Sequence, residues 1–286
     1  FNQKLVSPLN NAYAYRIYIE ALLNYASPVK TSHLASCLWY SDTAGNMDAL
    51  PGTTTSNHGL DKQATFVQIG RTLDLIGHLH CDVFNQDKFL INGVAVRMRL
   101  VRSKDSFCLM EGNTMSRIRI LDATLLIRRA RINPGIFAHT KMLTRTAAKY
   151  SLTRVEVKSF TIHSGVEEEI LDIILRQIPK RIILRILDVT LLIRRARINP
   201  AFNGARHLNP FNFQHYGINF FSLYLDGTQI PSRPLQLKFS GNEMLYAETY
   251  HTLFSGTGIH FLNETNSISR EDYSAGYLSL FSFLIS

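Results

Sequence analysis

The sequence predicts a mostly β chain with a few helices, divided into two β-rich halves and built for structure rather than catalysis. Two observations carry this. Apolar and polar residues alternate along several runs, most plainly in Val94-Ala-Val-Arg-Met-Arg-Leu-Val-Arg102, and a period of two is the mark of a half-buried strand. The chain also has 286 residues with 45% hydrophobic content, more than one ordinary domain of about 100–150 residues uses. Two domains are therefore expected, meeting near Tyr150.

From Ala12 to Ala26 the residues Tyr15, Ile19, Leu22, Leu23 and Ala26 fall at helical spacing, with Pro28 as the expected stop. The stretch from Ser41 to Asp61 contains Asp42-Thr-Ala-Gly-Asn46 and Pro51-Gly-Thr-Thr-Thr-Ser-Asn57. It is rich in turn formers and reads as a long surface loop, too polar to bury. Strands are expected at Thr65 to Ile69, Thr72 to Cys81, Phe89 to Ile91, Val94 to Arg102, Phe107 to Met110 and Arg117 to Ile132. In the fourth of these Val94, Val96, Met98 and Leu100 share one face and Arg97 and Arg99 the other. Asn92-Gly93 before it suits the positive φ angles of a tight hairpin.

Residues 136–150 read as a helix that closes the first half, and alternation resumes from Leu152 to Ile162. Gly165 to Leu175 reads as a short helix, Pro179 to Leu187 and Ile218 to Leu225 as strands, and Asp226-Gly227 as a hairpin turn. Ile230-Pro-Ser-Arg-Pro234, with two prolines, belongs on a sheet edge, and Tyr246 to Thr252 reads as helical. The opening Phe1-Asn-Gln-Lys-Leu-Val-Ser-Pro8 resembles the end of a hairpin already under way, and Gly276 to Ser286 a strand that stops without a polar tail. Both ends are expected to be cuts.

A formal charge of +9 invites a nucleic-acid partner, but its source matters. Residues 119–134 and 185–200 are the same sixteen-residue segment, differing only at Ala123 and Val189. Each copy carries four Arg and one Asp, so without the second copy the charge would be 9 − 3 = +6. Solenoid repeats drift everywhere except at core positions. Here exposed arginines are copied too and the likeness ends abruptly, which marks recent copying rather than a structural repeat. Arg128, Arg129 and Arg131, with Arg194, Arg195 and Arg197, form the strongest basic patches.

Cys37, Cys81 and Cys108 are odd in number and widely spaced, which argues against a disulfide framework and for buried thiols in a reducing compartment. No apolar run approaches the roughly 18 residues of a membrane span. His78, His80 and Asp82 would share one side of a strand, a weak metal signal, but no second cluster completes four ligands; a polar strand face is the expectation. Glu167-Glu-Glu169 is consecutive, so its carboxylates diverge rather than pair as acid and base. Ser255-Gly-Thr-Gly258 has no following Lys-Ser/Thr and reads as a turn. Asn263-Glu-Thr265 matches a glycosylation acceptor. No nucleophile, base and orienting group come together, so no enzyme, cofactor or metal is expected.

The blocks Ala14-Tyr-Arg-Ile-Tyr-Ile-Glu-Ala-Leu-Leu-Asn-Tyr25, Ser41-Asp-Thr-Ala-Gly-Asn-Met-Asp48, Leu100-Val-Arg-Ser-Lys-Asp-Ser-Phe-Cys-Leu-Met110, Asn209-Pro-Phe-Asn-Phe213 and Leu253-Phe-Ser-Gly-Thr-Gly258 closely resemble the major capsid protein of Polinton/Maverick elements and adintoviruses. The likeness runs in order along nearly the whole chain. It implies two tandem antiparallel jelly-roll sandwiches, each incomplete. Residues 1–150 would form the first, without its N-terminal strands. Residues 151–286 would form the second, without its C-terminal strands and with the repeat at 184–199 as an anomaly. It further implies a structural subunit of trimeric capsomers in an icosahedral shell, located in the virion, or an endogenised relic in the host cytoplasm or nucleus. Its partners would be copies of itself, a minor capsid protein, and packaged DNA through non-specific contacts, with no membrane. The alternative is a basic nucleic-acid-binding module using the two arginine-rich strands.

Overall fold

Helical periodicity near the start of the chain is realised in α1, Ala12–Asn24. Tyr15, Tyr18, Leu22 and Leu23 lie along one stripe of it and are buried, as residues spaced three and four apart must be when one face meets a core. Pro28 does not merely stop this helix. It sits in the first turn of α2, Ser27–Thr31, where its missing N–H has no helical partner to lose. A 3-10 turn, His33–Cys37, follows. The helices α3, His58–Phe66, and α4, Asp105–Cys108, follow along the chain.

Later in the chain come β1, Arg181–Leu184, β2, Phe220–Leu225, and β3, Thr228–Gln236. They are followed by α5, Ala247–Ser255, and α6, Arg270–Asp272, which runs into a π-helical turn at Tyr273–Tyr277, and then by β4, Phe281–Leu284. The computed structural model describes residues 12–68, 70–90, 96–130, 133, 149–150, 155–158, 181–184, 204–225, 227–239, 241–242, 244–255, 257, 265–277 and 281–284. Among them the strands form two antiparallel pairs. β1 lies on β4, with Arg181 opposite Leu284 and Leu184 opposite Phe281. β2 lies on β3, with Phe220 opposite Gln236, Leu225 opposite Thr228, and a register shift between Phe221 and Leu223. Gly227, at φ +80°, makes the turn between them. Pro231 and Pro234 are tolerated in β3 because, among the described residues, that strand pairs only on one side.

The core joins both stretches of sequence. Tyr15, Tyr18, Leu22, Leu23, Met47 and Phe107 pack in one cluster with Phe213, Leu235, Leu237, Tyr246, Leu253, Ile268 and Tyr273. Tyr18 stacks on Phe211 at a ring separation of 4.2 Å and an interplanar angle of 4°. Burying a side chain of this size contributes roughly 1.5–3 kcal/mol, so this cluster helps tie residues before Cys108 to residues after Gly204. Gly204 makes the closest joint: at φ +91°, a Cβ there would stand 2.6 Å from the backbone nitrogen of Phe107, so only glycine fits.

Several expectations change. Thr65 and Phe66 end α3 instead of opening a strand, and Phe107-Cys108 is helical. Both runs are too short for periodicity to separate helix from strand. Residues 72–81, 96–102 and 117–130 carry no strand. The apolar face expected to be half-buried stands open, with Val96, Met98 and Leu100 all exposed, because no described strand pairs with it. The Ser41–Asp61 loop is not wholly superficial either: Met47 and Asn57 are each 1% exposed. Nor are the thiols buried, since Cys37 and Cys108 are exposed and Cys81 is intermediate. The Asn92-Gly93 turn, residues 136–148 and 165–175 of the expected helices, most of Leu152 to Ile162, and residues 1–11 lie outside the described residues. Of the strand expected from Gly276 to Ser286, residues 281–284 form β4, while Gly276 and Tyr277 end the π-helical turn.

Candidate functional site

The polar loop folds inward because its side chains satisfy one another. Asn57 precedes α3 and caps it, its Oδ1 accepting from Gly59 N at 3.2 Å and from Thr43 N at 2.9 Å. Its Nδ2 donates to Asp42 Oδ1 at 2.8 Å and to the Met47 carbonyl at 3.2 Å. Gly59 allows the approach, since a Cβ there would lie 2.7 Å from the Ser41 carbonyl oxygen.

The block Asn209-Pro-Phe-Asn-Phe213 closes the network from the far end of the sequence. Asn209 N donates to Asp48 Oδ1 at 2.6 Å, Asn209 Nδ2 to Asp42 Oδ2 at 3.3 Å, and Asn212 Nδ2 to Asp48 Oδ2 at 2.6 Å. Two carboxylates are thus held by three carboxamides. Burial pushes the Asp42 carboxyl up to about 6, against the hydrogen bonds from Asn57 and Asn209 and with the help of the nearby Asp48 charge.

Asp42 also lines a cleft of about 360 Å³ bounded by Leu22, Ser27, Lys30, Thr31, Trp39, Tyr40, Ser267, Ile268 and Asp272 among others. Lys30 lies at its wall. The Pro28 turn brings α2 back under the end of α1, and Lys30 Nζ donates to the Leu22 carbonyl at 2.9 Å, one of the groups α1 cannot satisfy itself. A second bond runs to the Asn266 carbonyl at 2.5 Å. Burial lowers the pKa of this amine to about 8, and no carboxylate pairs with it among the described residues. Asp272, across the cleft, accepts from the Ser269 hydroxyl at 2.8 Å.

The residues singled out in the sequence are dispersed. His80 Nδ1 meets Glu20 Oε2 at 2.7 Å, Asp82 accepts from Arg16 at 3.0 Å, and His78 contacts Asn85. His80 and Asp82 therefore tether this segment to α1 while His78 turns to Asn85 and meets the His80 ring edge-on, and no group of metal-binding side chains forms among the described residues. Burial alone would raise the Glu20 carboxyl; the bonds from His80 and Arg16 outweigh it and hold it below the ordinary value. Thr257 Oγ1 donates to the Leu253 carbonyl at 2.7 Å, close to the end of α5, while Gly256 and Gly258 of that block lie outside the described residues. Arg128 and Arg129 are exposed. Arg131, Arg194, Arg195 and Arg197, with Glu167 to Glu169 and Asn263, lie outside the described residues. Lys30 was not foreseen in the sequence; its signal was a lysine two residues after a helix-starting proline.

No protein-family model matches the chain, and no solved structure does. The chain is similar to an uncharacterised protein of Caenorhabditis elegans, F54H12.2, at 24% identity over 260 residues. That match covers 88% of this chain and 57% of the worm protein's length. No helix among the described residues is long and apolar enough to cross a membrane.

Proposed function

We propose that this chain is a structural subunit of a protein shell, built on two tandem jelly rolls, whose work is to bury surface against copies of itself in trimers and then a lattice. The observation that carries this reading is the apolar run between Val96 and Ile127. Nearly half of the large apolar side chains exposed among the described residues lie there, with Leu100 at 68%, Leu121 at 66% and Leu126 at 75%. A concentration of exposed large apolar side chains is the ordinary mark of an interaction site, and symmetric self-association is a common way proteins cover one. Arg97, Arg99, Arg102, Arg117 and Arg119 are interleaved with it and exposed, and interleaved charges of this kind keep an open apolar segment from associating indiscriminately. All five blocks that resemble capsid proteins place a side chain in the core or its polar network: Tyr15, Asp42, Phe107, Phe213 and Leu253.

The exposed Arg128 and Arg129 at the end of the same run favour a second reading, contact with nucleic-acid phosphates. One experiment separates the two. Purified chain is followed by analytical ultracentrifugation over a wide concentration range, with and without duplex DNA, beside a variant carrying Leu121→Ser and Leu126→Ser and one carrying Arg128→Ala and Arg129→Ala. Concentration-dependent trimers that the leucine variant loses are expected. A strict monomer that binds DNA in a salt-dependent manner, and stops doing so without the arginines, would replace the shell with the nucleic-acid module.

A further inference from the structure

We propose that the cleft between α2, residues 39–42 and the start of α6 is a binding site for a small organic carboxylate, with the Lys30 ammonium as its anchor. Three observations lead there, none of which depends on self-assembly. Lys30 is 9% exposed and lines the cleft, and its ammonium makes two hydrogen bonds to carbonyls and no ion pair among the described residues. A buried cation without an anion is costly, and an ammonium has three protons to donate, so one remains for a ligand.

The two carboxylates on the walls are already engaged. Both oxygens of Asp42 accept from Asn57 and Asn209, and Asp272 is held by Ser269. They leave Lys30 as the group that is short of a partner. The remaining lining combines apolar and aromatic surface from Leu22, Trp39, Tyr40 and Ile268 with hydroxyls from Ser27 and Thr31. A volume of about 360 Å³ falls within the usual range for small-molecule sites, roughly 300–1,000 Å³, and the mixture of apolar walls with a few polar anchors is typical of them. The ligand that fits has one carboxylate and a compact apolar or hydroxylated body.

Trp39 is the only tryptophan in the chain and lines the cleft, so its fluorescence reports on the site directly. The full chain is titrated with cyclohexanecarboxylate and, separately, with the uncharged cyclohexanecarboxamide. A saturable change in Trp39 emission is expected for the acid, at least tenfold weaker for the amide and at least tenfold weaker again in Lys30→Met. Lys30→Arg, which keeps the charge, should retain part of the affinity. If Lys30→Met does not fold, the native chain still decides the matter: acid affinity should fall as pH rises through about 8, where the amine loses its proton. No saturable binding, equal binding of acid and amide, or affinity flat across that pH range overturns the proposal.

Discussion

In the core, Tyr15 meets Phe107, Phe211 and Phe213 at ring separations of 5.9, 5.5 and 6.5 Å, while between Val96 and Ile127 side chains of similar hydrophobicity stand exposed. Local sequence does not account for the difference, since both regions are rich in large apolar residues. The core side chains have partners brought from far away along the chain: Phe107 and Phe213 arrive from opposite sides of a long stretch and meet on α1. Around them the Asp42, Asp48, Asn57, Asn209 and Asn212 side chains satisfy one another, so the polar groups that must enter with the core do so at little cost. Within the exposed run Phe107 belongs to the core, whereas the large apolar side chains that stand exposed join no core cluster among the described residues, although the run's polar groups find partners, as Arg102 does in Asp105 and the Ile118 carbonyl. Burial here is a property of pairing rather than of composition.

Substitution of Phe213, 0% exposed, by Ala breaks the comparison at its strongest point. Removing a fully buried ring costs the transfer term and leaves a cavity beside Tyr15 and Tyr18, together about 3–5 kcal/mol. Chemical denaturation should show that loss, and a change under 1 kcal/mol would mean that the core is not organised around this ring.

The polar network gives the next largest effect, visible as a pH dependence. The Asp42 carboxyl is raised from an ordinary value of 3.8 to about 6 in the folded state, so between those values the folded chain binds more protons than the unfolded one. Stability contributed by Asp42 is therefore full below about pH 4 and declines as pH rises to about 6, by an amount on the order of 3 kcal/mol. Glu20, lowered in the folded state, works in the opposite sense and loses its contribution as pH falls, so the quantity to measure is the difference from Asp42→Asn. That variant should be less stable at low pH and should lack the decline between pH 4 and 6. Parallel curves for the two proteins would show that Asp42 ionises as freely when folded as when unfolded.

How much of this was legible in the sequence follows from the same physics. α1 was readable because Tyr15, Leu22 and Leu23 repeat at helical spacing, and β2, the Gly227 turn and α5 because each carries a local signal. The Asp42–Asn209 network was not, because its members are 167 positions apart and each half on its own reads as turn-forming polar sequence. The Phe107 turn was misread for lack of length, and the strand pattern around Val96 predicted a buried face without naming what would bury it. Lys30 was hidden for a related reason: its partners are backbone carbonyls, which no residue type advertises.

The smallest effect on stability is expected in the exposed run, and it sharpens the comparison because it separates folding from association. At low protein concentration Leu121→Ser and Leu126→Ser should each change the free energy of unfolding by no more than about 0.5 kcal/mol, as surface substitutions do. If either position were covered within a single chain, the loss would instead approach the roughly 2–5 kcal/mol of a core leucine. Raising the concentration should then divide the proteins. Self-association stabilises the folded state by mass action, so the melting temperature of the native chain should climb with concentration while that of the double variant stays level. A native chain whose melting temperature ignores concentration would leave the exposed leucines without a second copy to cover them.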